Sequence, residues 1–308
     1  GRTEIGVAMR LHGAEIVDTF AEAFPMWGAR VLITANTSGW ALEAGRSMTG
    51  FATSVIGCKC EAGIERELSG GDTPDGRPGV SVLLFATDRA GLAKRLVERV
   101  GQCVLTCPTT ACFNGLDAAT QVDVGGQLRF FGDGWQASKV IAGRRYWRVP
   151  VMEGEFLVEE SFGVVEGVGG GNLIVLGEDA AAALGATEEA AAAMREVEGV
   201  ILPFPGGIAR SGSKVGSRYA ALIASTNERL CPTLRAQVPD SEVPAGIGAV
   251  YELVIDGLGE EAVRAAMARG LETAARAGAR QITAGNYGGS LGPYHLHLHE
   301  LAPAGRRE

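Results

Sequence analysis

One order of local structure is written into this chain twice, and that repetition limits the possible folds more than any other feature. In the first half, "ARVLIT" (29–34) reads as a strand, residues 38–48 as a helix and "GFATSVIGC" (50–58) as a second strand. After the turn-rich "SGGDTPDGRPG" come the strand "VSVLLFA" (80–86), a helix over "DRAGLAKRLVERV" and the strand "QCVLTC" (102–107). Asp88 suits the N-cap of that helix, and Leu92, Leu96, Val97 and Val100 make one apolar stripe.

The second half repeats the scheme. "GNLIVLG" (171–177) is followed by a helix from Glu188, capped by Thr187 and ended by Gly199, and then by "GVILPFP" (199–205). After a long loop come "AVYELVIDGL" (249–258), a helix over "EEAVRAAMARGLETAARA" and "ARQITAG" (279–285). In that helix Val263, Met267 and Leu271 recur at intervals of four and should face a core. The predicted class is therefore α+β, with two ferredoxin-like (split βαβ) α/β sandwich lobes at 1–145 and 146–308. Each lobe covers one sheet face with its own helices. The other face must meet a second lobe, another subunit or a ligand.

Charge excludes some partners. Asp plus Glu number 36 against 28 Lys plus Arg, a net charge of −8 with no basic block, so nucleic acid and anionic membrane surfaces are poor partners. No apolar run reaches 18 residues, and "GRTEIGVAMRLHGAEIVDTF" lacks the layout of a signal peptide, which predicts a cytoplasmic protein. In that compartment the six cysteines, without framework spacing, read as free thiols.

Four stretches invite a chemical reading. "HLHLH" (295–299) would set His295, His297 and His299 on one strand face, a spacing open to a transition metal. With only Glu300 as a neighbouring acid, a polar strand face is the plainer reading, and no metal is expected. "FPGGIARSGSKVGSR" (204–218) follows a strand as a phosphate loop would, but Ser213 separates Gly212 from Lys214 and Val215 follows the lysine, so it is no nucleotide-hydrolysing loop. Its glycines and its cations Arg210, Lys214 and Arg218 can still receive a carboxylate or phosphate, unless it is an ordinary solvated connection. "GVGGGN" (167–172) precedes a strand and lacks the dinucleotide pattern.

The fourth stretch is "AVYELVIDGL". Alternation puts Glu252 on one strand face with Val250 and Val254, where the pattern calls for a third valine. A carboxyl walled by two valines would tend to hold its proton. The ordinary alternative is a solvated strand face.

The motifs "DTFAEAF" (18–24), "TPDGRPGV" (73–80), "FFGDG" (130–134), "EGEF" (153–156), "PFPGGI" (203–208), "SKVGS" (213–217) and "AGNYGG" (284–289) occur in one order across nearly the whole chain. Together they resemble formylmethanofuran:tetrahydromethanopterin formyltransferase, in a form similar to that of methylotrophic bacteria. The resemblance implies a transferase of one-carbon metabolism and formaldehyde oxidation, built as a homo-oligomer, a tetramer, without a tightly bound cofactor. Methanofuran and tetrahydromethanopterin would be its coenzyme substrates, with one carrier cleft lying between subunits, and hydrolase-complex subunits would be its partners. The family's buried glutamate falls on Glu252, and Gly206, Gly207, Ser213, Lys214, Arg218 and Asn286 are the candidate substrate-binding residues. The rival expectation is a non-catalytic assembly subunit of a formyl-hydrolase complex. Cys58, Cys60 and the tail "APAGRRE" depart from the resemblance and receive no role.

Overall fold

In a computed structural model, which describes residues 9–303, the sequence repeat becomes a repeat of strand order. The first half runs through strand Phe20–Thr34, helix Ser38–Thr49, strands Glu61–Leu68 and Gly79–Ala86, helix Arg89–Arg99 and strand Ala111–Asn114. Gly79–Ala86 lies between Glu61–Leu68 and Phe20–Thr34, and Ala111–Asn114 takes the far edge of Phe20–Thr34, all antiparallel. The second half runs through strand Ser161–Gly177, helix Ala180–Arg195, strands Val200–Ile201 and Ala249–Gly257, helix Glu260–Arg276 and strand Gln281–Thr283. Here Ala249–Gly257 lies between Val200–Ile201 and Ser161–Gly177, and Gln281–Thr283 takes the far edge, again antiparallel.

The first strand of each half is long enough to serve two pairings. Residues 164–169 pair antiparallel with residues 24–29, so both halves belong to one mixed sheet of 15 strands among the described residues. Helices pack on each half separately. Leu92, Leu96 and Val100 lie against Val31, Ile33, Val82 and Leu84 in one core, whereas Val263, Met267 and Leu271 lie against Leu173, Val175, Leu253 and Ile255 in the other.

The helix stripes are as expected, but several strands are displaced. "GFATSVIGC" is not a strand, because Phe51 takes a positive φ of 48° and Ser54 caps a short helix, Val55–Cys58. The sheet is joined instead by the more polar Glu61–Leu68. "QCVLTC" continues the preceding helix as a wide turn closed by Leu105 N–H to the Val100 carbonyl at 2.9 Å. Val100 and Val104, four apart, extend its buried stripe, and the strand comes later at Ala111–Asn114.

Thr187 is not a cap either. The Ala-rich start favours helix from residue 180, Asp179 accepts from Ala182 N–H at 2.8 Å, and Thr187 donates within the helix to the Ala183 carbonyl at 2.6 Å. "GVILPFP" yields only Val200–Ile201, since Pro203 and Pro205 offer no N–H to a ladder. Residue 146 falls inside the strand Arg144–Val151, which pairs with Gly154–Glu159.

The halves meet around Phe85, which packs with Met26, Leu83, Ile201, Val55 and Leu258. Backbone closeness makes room for it. A Cβ at Gly28 would stand 2.6 Å from Phe85 Cε1, and one at Gly167 would stand 2.5 Å from the Gly257 carbonyl oxygen. A polar seam runs beside this plug. Glu65 accepts from Arg30 at 2.7 and 2.8 Å, from Ser81 at 2.6 Å and from Gly199 N–H of the second half at 2.7 Å. Truncating the plug, Phe85→Ala, should therefore lower unfolding stability by about 3–5 kcal/mol in a urea titration.

Candidate functional site

The sheet of the second half has helices on one face, and a long excursion, residues 202–248, folds over the other. Leu230, Val243 and Ile247 from this excursion pack on Ile174, Leu176 and Val250. The cover is partial. Between it and the sheet lies a cleft of about 640 Å³, lined by residues of both halves.

Register builds the cleft floor. Asn172, Ile174 and Leu176 stand opposite Val254, Glu252 and Val250, so these six side chains share one face while Leu253 and Ile255 point into the helical core. The excursion begins as an edge to the same strand. Ala209 exchanges both backbone hydrogen bonds with Glu252, at 2.8 and 2.9 Å, and this brings Arg210, Ser213 and Lys214 to the cleft wall.

Glu252 is half-buried, and its carboxyl has no hydrogen-bond or ion-pair partner among the described residues. Burial pushes its pKa up to about 7, so near neutrality it can both give and hold a proton. Farther along the same row, the fully buried Asp256 faces Glu61 of the first half, which also lines the cleft. Burial raises both carboxyls and they hydrogen-bond to each other, so the pair holds a proton. Asp256 Oδ2 has no other hydrogen-bond partner among the described residues. The outer oxygens are held by backbone, with Gly170 N–H on Asp256 at 3.1 Å and Val55 N–H on Glu61 at 3.0 Å.

The remaining candidates separate in space. Ser213, Lys214 and Asn286 line the cleft with Glu252, whereas Gly206, Gly207 and Arg218 do not. Lys214 is engaged by Glu228. Arg210, named only as a loop cation, has no partner among the described residues and stands free in the wall, while Arg229 pairs with Asp240 and Glu242. Asn286 donates to Thr19 Oγ1 and to the Phe20 carbonyl, both at 3.0 Å, and accepts from Gly288 N–H at 3.1 Å, so its amide is committed to holding its loop. Gly206 and Gly207 have positive φ, 64° and 85°, in the turn that leads the excursion out from the sheet.

The histidines do not share a face as a strand would require. His295 and His297 pack on Phe20 at ring distances of 4.7 and 5.1 Å, but a helical turn starts at Leu298 and sends His299 to the Ile16 carbonyl at 2.8 Å. Among the described residues no three His, Cys, Asp or Glu side chains are grouped to hold a metal ion, no helix is long and apolar enough to cross a membrane, and all six cysteines are free. Residues 1–8 and 304–308, with most of the "APAGRRE" tail, lie outside the described residues.

Residues 9–151 match the family model for formylmethanofuran-tetrahydromethanopterin formyltransferase, and residues 154–301 match that for the FTR proximal lobe. The chain belongs to this formyltransferase family. It is 56% identical over 301 residues to the formylmethanofuran–tetrahydromethanopterin formyltransferase of Methylobacillus flagellatus, covering 95% of this chain and 99% of that one. It is 51% identical to a subunit of the formyltransferase/hydrolase complex of Methylorubrum extorquens, covering 94% of this chain and 96% of that subunit. The structure superposes on the Methanosarcina barkeri formyltransferase with a TM-score of 0.91 at 52% identity, over 95% of this chain and all of the other. It superposes on a chain of the Methylorubrum formyltransferase/hydrolase complex, solved with methylofuran, with a TM-score of 0.93 at 49% identity, over 96% and 100%. The chain is thus an enzyme, a formyltransferase, of a family whose substrates are methanofuran and tetrahydromethanopterin.

The cleft carboxyl makes stability depend on pH. A carboxyl whose pKa rises on folding favours the folded state below its unfolded value, and that advantage is lost as pH climbs to the folded value. For Glu252 the interval runs from 4.5 to about 7, or about 3–4 kcal/mol at about 1.4 kcal/mol per pH unit. Glu252→Gln should therefore gain stability relative to the parent between pH 5 and 8, as read from paired urea titrations at each pH.

Proposed function

We propose that this formyltransferase moves a formyl group between formylmethanofuran and tetrahydromethanopterin by direct transfer, with Glu252 as a neutral hydrogen-bond donor. A pterin nitrogen attacks the formyl carbon, the carbonyl oxygen becomes an oxyanion, and the bond to the methanofuran nitrogen then breaks. A proton passes overall from the attacking nitrogen to the departing amine. The protein's share is to orient two bulky carriers and to stabilise the oxyanion. The observation that carries this reading is Glu252 itself, an unpartnered carboxyl on an apolar floor, its pKa raised by burial to about 7.

Around that carboxyl the wall divides its tasks. Arg210 is free to meet an anionic carrier tail, Lys214 and Ser213 line the same side, and the acid pair Glu61–Asp256 sets a region of opposite sign at the far end of the row. Gly206, Gly207, Arg218 and Asn286 act through the backbone geometry and charge of their loops. Each half, by its strand order, is a split βαβ lobe of ferredoxin-like kind.

Similarity to a complex subunit favours a second element of the proposal. The chain assembles as a homotetramer, docks with hydrolase subunits in the cytoplasm and closes its carrier cleft with a neighbouring copy. Transfer by the purified chain, assayed with both carriers, is the expected result, and its absence would leave this chain the assembly role alone.

Substitutions test the donor. Removing such a donor lowers turnover by about 10²- to 10³-fold, so Glu252→Ala should fold, bind carriers and turn over at that reduced rate. An amide donates but does not ionise. Glu252→Gln should therefore retain substantially more activity than Glu252→Ala or Glu252→Asp, with the alkaline decline due to this group gone from its kcat profile. Equal inactivity of Gln and Ala in folded, carrier-binding protein would show that Glu252 works as an anion or a base.

A further inference from the structure

The loop that follows the strand Gln281–Thr283 is held with unusual completeness. At its start Asn172 accepts from Gly285 N–H at 2.7 Å and donates to the Gly285 carbonyl at 3.4 Å, and Asn286 is tied to Thr19 and Phe20. Beyond them Gly288 and Gly289 take positive φ, 70° and 76°, and turn the chain around the carboxylate of Glu22. That side chain is 1% exposed. One of its oxygens accepts from Tyr287 and Gly289 N–H and the other from Leu291 and Gly292 N–H, at distances from 2.5 to 3.1 Å. Burial by itself would raise this carboxyl, but the four backbone donors outweigh it and hold it ionised, below the usual carboxylate range.

A buried anion with four fixed donors is a costly way to shape a surface turn. What it delivers is one side chain. Tyr287 leaves this pinned backbone into the cleft that holds Glu252, 41% exposed, and its hydroxyl has no hydrogen-bond partner among the described residues. The phenol is kept protonated, its pKa raised first by burial and then by the nearby Glu252 and Glu22 carboxyls. Oxyanion sites commonly combine two donors, and Glu252 supplies one.

We propose that Tyr287 is the second hydrogen-bond donor to the oxyanion and that Glu22 is the positioning residue that fixes it there. The inference rests on the formyl-transfer reading above and adds to it a second catalytic group and its support. Gln at position 22 does not replace Glu. Each carboxylate oxygen already receives two N–H groups, so an amide nitrogen would face two donors instead of accepting from them.

The test is a double-mutant cycle in the formyl-transfer assay, with kcat and KM determined separately for both carriers. Tyr287→Phe keeps the ring and the loop and removes only the hydroxyl. It should lower kcat by about 10²-fold with little change in either KM. Glu22→Gln should lower kcat in the parent, yet cost little more in the Tyr287→Phe background, because its effect passes through that hydroxyl. Parental kcat in Tyr287→Phe, or a loss confined to KM, would overturn the donor role and leave the ring as a packing surface. An equal loss from Glu22→Gln in both backgrounds would overturn the positioning role. Tyr287→Phe leaves the Glu22 cradle intact, so it tests the donor whatever Glu22→Gln does to folding. The parental rate in the same assay tests formyl transfer itself, and the ratio of variant to parent tests Tyr287.

Discussion

The meeting of the two halves at the cleft depends on the antiparallel pairing of residues 24–29 with residues 164–169. This short ladder turns two βαββαβ units into one sheet and places the edge of the first half against the open face of the second. Glycine backbones at 28 and 167 allow the approach, and Phe85 fills the space behind them. The same pairing accompanies the meeting of Glu61 and Asp256, while the antiparallel pairing of residues 20–23 with 294–297 holds Glu22 beside the loop at 285–292.

The acids gathered around this one cleft illustrate how surroundings alone set the state of a carboxyl. Glu22 receives four N–H donors and stays ionised, Glu61 and Asp256 share a proton, and Glu252 has no polar partner and is raised by burial to about 7. Only Glu252 is free to change its hydrogen bonding when a substrate arrives. In the proposed mechanism that freedom is its function, while the other acids hold the walls in place.

How much could be read from residue order varies with how local the cause is. Helices Arg89–Arg99 and Glu260–Arg276 were legible because a stripe at intervals of four and a capping or acidic first turn are local signals. Strands were less so. Glu61–Leu68 is half polar and joins the sheet through its neighbours, whereas the more apolar "QCVLTC" buries its valines as helix. Glu252 was visible as a charge interrupting a valine row. Tyr287 and Glu22 lay inside the quoted motifs "AGNYGG" and "DTFAEAF", but nothing in either motif shows that a loop would wrap a carboxylate 265 to 270 residues away.

Sequence by itself determined the duplicated β-α-β-β-α-β order, the helix faces, the family motifs and the acid that interrupts a valine row, Glu252, because each follows from neighbours a few residues apart. Tertiary structure decided which acids are neutral, which loops reach the cleft and which side chains are left without partners. Those properties depend on burial and on hydrogen bonds between distant segments, and a carboxyl's free energy of ionisation is set by what surrounds it in space.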